Sequence, residues 1–119
     1  MDLNGNLLAS YLIGGIDGDL YEDVIIDNGI IHYLIKTDSP NFPVTDGSTF
    51  GGGLTSWGAT ALEMVYAQID PNTGNILFAT YLGGNGNDRI SRSLPSITIV
   101  GGTAYIVLSS LSTDMPVTD

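Results

Sequence analysis

The sequence contains no cysteine. A disulfide framework and a thiolate metal site are thereby excluded. Cations are scarce: Lys36, Arg89 and Arg92 stand against 13 Asp and Glu, and the formal net charge of the 119 residues is −10. Neutralising phosphates takes many more Lys and Arg, which argues against nucleic acid as a partner. Long apolar runs are missing too. Val24–Ile26 and Ile30–Ile31 fall far short of the ~18 residues of a membrane span. Met1-Asp2-Leu3-Asn4-Gly5-Asn6 lacks the charged-then-apolar pattern of a signal peptide. No segment sustains a helical apolar period, and Ala59–Met64, which comes nearest, is too short. No Gly-Lys-Ser/Thr follows Gly51-Gly52-Gly53, so the glycines are a flexible crossing and not a phosphate loop.

What remains is apolar and glycine-rich, with 43% hydrophobic residues and 16 Gly. That is too hydrophobic for a disordered acidic tail. The length suits one ordinary domain. Strand signals dominate. Leu7–Leu12 is apolar and aromatic. Asp23–Ile26 and Ile30–Ile35 flank Asn28-Gly29, a pair that favours the positive φ of a tight hairpin. Ile97–Val100 and Thr103–Leu108 flank Gly101-Gly102 in the same way. Met64–Ile69 and Ile76–Leu82 flank the turn Asp70-Pro71-Asn72-Thr73-Gly74. Thr37–Thr60, rich in Pro and Gly, reads as a long connection between two units.

The chain repeats itself. Leu7-Leu8-Ala9-Ser10-Tyr11-Leu12 matches Leu77-Phe78-Ala79-Thr80-Tyr81-Leu82. The loop Asp17-Gly18-Asp19 matches Gly86-Asn87-Asp88, and a hairpin follows each. Phe42-Pro43-Val44-Thr45-Asp46 then matches Met115-Pro116-Val117-Thr118-Asp119. The offset is shorter between Gly14 and Gly83 than between Pro43 and Pro116, so small insertions separate the copies. Ordered self-similarity over most of a chain signals a repeat architecture. The later copy offers four short antiparallel strands, the content of one propeller blade; the earlier copy offers three.

Thr80-Tyr81-Leu82-Gly83-Gly84-Asn85-Gly86-Asn87-Asp88, then a Gly-turn hairpin, then Ser112-Thr113-Asp114-Met115-Pro116-Val117-Thr118, resembles the bacterial β-propeller repeat called SBBP. Ser10-Tyr11-Leu12 and Asn41-Phe42-Pro43-Val44-Thr45 carry the same resemblance in the first copy. The inserted Ile13, the displaced acidic loop Asp17–Asp19 and the long connection depart from it. The resemblance implies extracellular or cell-surface bacterial proteins, often multi-repeat, some tied to adhesion or gliding. It implies no catalytic residues; apart from calcium at the acidic loops, no cofactor is expected.

The acidic loops are the candidate ligand sites. Asp17, Asp19, Glu22 and Asp23 lie close together, with Gly18 for backbone freedom. Hard oxygens at alternate positions suit calcium. Asp17, Asp19 and Asp88 are its candidate ligands, against the plainer reading of solvated loops whose side chains bond their own backbone. Asp2-Leu3-Asn4-Gly5-Asn6 starts like an EF-hand loop, but Ile13 stands where its Glu belongs, and a turn is expected instead. The single His32 lacks the companions of a transition-metal site or a Ser-His-Asp triad, and a strand histidine at a blade surface is expected. Trp57 and Phe50 are expected to anchor the long connection.

The expectation is therefore an all-β protein of β-propeller blades, four-stranded antiparallel sheets, with about two blades present and the first lacking a strand. Residues 1–46 would form the incomplete blade, 47–61 the inter-blade connection and 62–119 the second blade. Two blades cannot close a ring, so the expected partners are other blades of the same or a longer chain, or further copies of this one. An external partner would be a surface protein or a glycan. The leading function is a non-catalytic structural or interaction module of a bacterial cell-surface or secreted protein. Two alternatives stay open: a propeller-scaffold enzyme acting on carbohydrate through Asp carboxylates, and a calcium-stabilised β-repeat.

Overall fold

The structure is a computed structural model and describes residues 2–45, 49–50, 63–84, 86, 88 and 96–115. Seven strands run in chain order: β1 (Asp19–Asp27), β2 (Ile30–Thr37), β3 (Thr49–Phe50), β4 (Glu63–Ile69), β5 (Ile76–Leu82), β6 (Ser96–Val100) and β7 (Thr103–Val107). Among the described residues there is no helix. The all-β expectation holds at that level.

The turns form where their residues favour them. Asn28 and Gly29 take φ of 47° and 78° between β1 and β2, and Gly101 and Gly102 take 58° and 79° between β6 and β7. Both pairs need the left-handed region, which Gly and Asn enter at low cost. The β4–β5 turn is held by Asp70, whose carboxylate accepts the Asn72 N–H at 2.8 Å and the Thr73 hydroxyl at 3.0 Å. These bonds to the charged form lower the Asp70 pKa.

One sheet takes the order β1-β2-β4-β5-β3. Its first four strands are antiparallel, and β3 adds two residues parallel to the end of β5. Strands β6 and β7 make a separate two-stranded ladder. The strands pair across the boundary expected at 47–61. Strand β2 gives its free edge to β4, in register from Ile31↔Ile69 to Thr37↔Glu63. Among the described residues β4 and β5 pair with β1 and β2, and β6 pairs with β7, so the four antiparallel strands of one sheet come from both sides of that boundary. The described strands do not close a ring.

Strand alternation sends side chains to two faces, and both are covered. One face carries Ile35, Val65, Ala67, Ala79 and Tyr81, over which Phe42 and Val44 of the β2 exit segment and Ile13 pack. The other carries Leu34, Met64 and Tyr66, against which β6 lays Ile97 and the hairpin adds Ile99, Ala104, Ile106 and Leu108. Strand β4 is therefore buried on both faces. Asp23 pins the hairpin to β1: its Oδ2 accepts the Ile97 N–H at 2.9 Å and the Ser96 hydroxyl at 3.1 Å.

Leu7–Leu12, the sequence counterpart of β5, is exposed and forms no strand. Strand β5 exists because β4 pairs with it, and no described strand offers Leu7–Leu12 a partner. Gly51–Gly53, Trp57, Ala59–Leu62, Arg89 and the Pro116–Asp119 exit segment lie outside the described residues, as does the side chain of Phe50.

Candidate functional site

The polar residues gather at one end of the sheet. Asp19 pairs with Thr37, and Thr37 with Glu63. Met64 pairs with Leu82, which brings Gly83 beside Glu63. Directly paired residues share a face, so Asp19, Thr37 and Glu63 form one cross-strand row.

Asp19 closes a clasp. Its Oδ2 accepts the Gly15 N–H at 2.6 Å and the Ser39 hydroxyl at 3.4 Å. Its Oδ1 accepts the Thr37 hydroxyl. Thr37 Oγ1 accepts the Ser39 N–H at 2.9 Å, and Ser39 Oγ accepts the Asp17 N–H at 2.8 Å. The loop before β1 is thereby tied to the exit of β2.

Asp88 closes the same clasp in the second copy. Its Oδ2 accepts the Gly84 N–H at 2.8 Å. Its Oδ1 accepts the hydroxyls of Ser110 and, at 2.8 Å, of Ser112. Ser110 Oγ accepts the Ser112 N–H at 2.9 Å, and Ser112 Oγ accepts the Gly86 N–H at 2.8 Å. Gly15, Asp17 and Asp19 recur in the second copy as Gly84, Gly86 and Asp88; Thr37 and Ser39 recur as Ser110 and Ser112. The repeat read from sequence is thus a repeat of hydrogen bonds.

Glu63 joins the first sheet to the second clasp. Glu63 is 2% exposed and Asp88 1%, and their carboxyls are hydrogen-bonded. Such a bond between carboxyls requires a proton on one of them. Burial foremost, then the Asp88 charge and this bond, push the Glu63 pKa from 4.5 up to about 8. Beside Glu63, the Tyr81 hydroxyl donates to the Ser39 carbonyl at 2.8 Å and accepts the Phe42 N–H at 3.1 Å. Burial raises the Tyr81 pKa above its ordinary value, and the charges of Asp19 and Glu63 add to that.

The calcium candidates are distributed over the two copies. Asp19 and Asp88 head separate clasps, and Asp17 is exposed, contributing its N–H to the first. Among the described residues no group of three or more His, Asp or Glu comes together as a metal cage. Asp2 does form a turn, accepting the N–H groups of Asn4 and Asn6 at 2.9 Å each. His32 is buried, not at a surface, with Nδ1 2.8 Å from the Tyr66 hydroxyl. The Gln68 side-chain amide donates to that same hydroxyl at 2.8 Å.

Two grooves flank the sheet. One, of about 520 Å³, is lined by Tyr11, Leu12, Asp19, Tyr21 and Tyr33 among others. The second, of about 420 Å³, lies between Phe78, Thr80 and Leu82 on the sheet and Ala104, Ile106 and Leu108 on the hairpin. Glu63 and Asp88 line neither.

The sequence reading missed Thr37, Ser39, Ser110, Ser112 and Glu63. The first four carry a visible signal: hydroxyl residues spaced by one, Thr37-Asp38-Ser39 and Ser110-Leu111-Ser112, at matching places in the two copies. Glu63 has no counterpart within the chain and carries no such signal.

No family model, curated protein or solved structure matches the chain. The resemblance to SBBP repeats rests on the residues quoted for it.

Proposed function

We propose that the chain is a non-catalytic structural and interaction module built of propeller-type repeats. The observation that carries this reading is the clasp built twice. Asp19 and Asp88 spend their hydrogen-bonding capacity on backbone N–H and hydroxyl groups of their own repeats. The shifted carboxyl, Glu63, is buried against Asp88 and lines neither groove, which supports a role in joining repeats over one in meeting a substrate. The apolar residues left open, including Leu7, Leu8, Leu12, Tyr105 and Val107, suit further protein surface. The likeness to SBBP repeats adds the setting: a bacterial surface or secreted protein of the adhesion- or gliding-associated kind.

Light scattering on the purified chain tests the reading. A module that needs neighbours associates, giving a mass above the 12.5 kDa of one chain. A stable monomer at high micromolar concentration overturns it.

A further inference from the structure

We propose that the free edge of β7 takes up an antiparallel strand of β4 chemistry: apolar at alternate positions and headed by a glutamate. The inference rests on the repeat-module reading and names the partner that one of its surfaces fits. Strand β7 is the repeat counterpart of β2, and β6 that of β1, in the alignment that sets Pro43 on Pro116. Strand β2 has two partners, β1 on one edge and β4 on the other. Strand β7 pairs with β6 alone among the described residues. Among the described residues its second edge is unpaired backbone, a template for strand addition.

The register of the incoming strand follows from the pairs that β2 makes. Tyr33 and Ile35 face Ala67 and Val65 on β4. Their counterparts in the second copy are Ile106 and Leu108. A β4-type strand on β7 therefore sets its alanine opposite Ile106 and its valine opposite Leu108. Both point toward the side on which Ile106 and Leu108 already pack, where the groove of about 420 Å³ lies open against Phe78 and Leu82. At the end of the strand, Thr37 faces Glu63. Ser110 is the counterpart of Thr37, so the incoming glutamate reaches the clasp of Asp88. Small apolar side chains fill the groove, and the carboxyl extends the polar row.

The test appends a second copy of residues 47–82 after Asp119, so that β7 is followed by the same connection and the same two strands that follow β2. Amide exchange is measured across Thr103–Val107 in the full chain and in the extended one. Exchange there slows at least tenfold in the extended chain. A control extension with the copied Val65→Asp and Ala67→Asp leaves it at the rate of the full chain. A synthetic peptide of the β4 sequence, added in excess to the full chain, gives weaker protection at the same amides. No protection from either the extension or the peptide overturns the inference, as does equal protection by the control. Amides of β7 already protected in an oligomer of the full chain overturn it too, because a second copy then holds that edge. That last outcome leaves the module reading standing; a stable, unprotected monomer sinks the module reading itself.

Discussion

Glu63 and Asp88 meet across the bare Cα of Gly83, where a methyl group would collide with both carboxyls. The pair fixes a pH dependence. The Glu63 pKa is raised in the folded chain, to about 8 from 4.5. Between those values the folded state holds a proton that the unfolded state has released. Stability therefore falls as pH rises through this window, by up to about 1.4 kcal/mol per unit. Chemical denaturation at pH 5 and pH 8.5 measures the drop. Glu63→Gln keeps a donor toward Asp88 without a titrating proton. This variant should match the parent near pH 5 and exceed it near pH 8.5. Equal pH profiles for the two proteins refute the assignment.

The glycines around this pair give a steric prediction. A Cβ on Gly84 would strike the side chains of Ser112 and Asp114, as one on Gly83 strikes Asp88 and Glu63. Gly83→Ala and Gly84→Ala should each cost about 1–3 kcal/mol through overpacking. Gly29 has open space around its Cα but a φ of 78°. Gly29→Ala should cost about 1 kcal/mol, from backbone strain alone. Urea midpoints for the three variants set the order, and a Gly29→Ala that is the most damaging contradicts it.

The clasps predict the response to losing an acceptor. Asp88→Asn leaves an amide where Gly84 N–H and two serine hydroxyls need acceptors, a loss of about 1–3 kcal/mol. Asp19→Asn likewise turns one acceptor oxygen into a donor, facing Gly15 N–H and the Thr37 and Ser39 hydroxyls, but at a site less buried than Asp88, and the loss should be smaller. Because both carboxylates already have donors, calcium against chelator should leave the thermal midpoint unchanged. A rise of several degrees with calcium would support Asp17, Asp19 and Asp88 as its ligands.

Local chemistry is legible in the sequence where it decides itself. Asn28-Gly29 and Gly101-Gly102 announce their hairpins because few other residues tolerate those backbone angles. The repeat is legible as well, down to the spacing of the clasps. Strand partnership is not. Alternation tells which face a residue takes but not which edge its strand meets, so a sheet that pairs β2 with β4 across the long connection reads as two separate blades. Leu7–Leu12 and β5 share a pattern and differ in structure for the same reason. Glu63 is invisible because its environment is assembled from Asp88, beyond the whole β4–β5 hairpin.

Tyr11 and Tyr81 turn that distinction into a measurement. They occupy matching repeat positions, yet Tyr81 is 4% exposed and Tyr11 44%. The Tyr81 hydroxyl answers two buried backbone groups, the Ser39 carbonyl and the Phe42 N–H. Tyr81→Phe leaves both without their partner and should cost about 1–3 kcal/mol. The Tyr11 hydroxyl donates to the Asn72 carbonyl at the surface, where water can replace it. Tyr11→Phe should cost no more than about 0.5 kcal/mol. Equal losses in denaturant titrations would mean that Leu7–Leu12 is held as firmly as β5. The sheet would then have to supply that segment with a strand partner that the described residues do not contain.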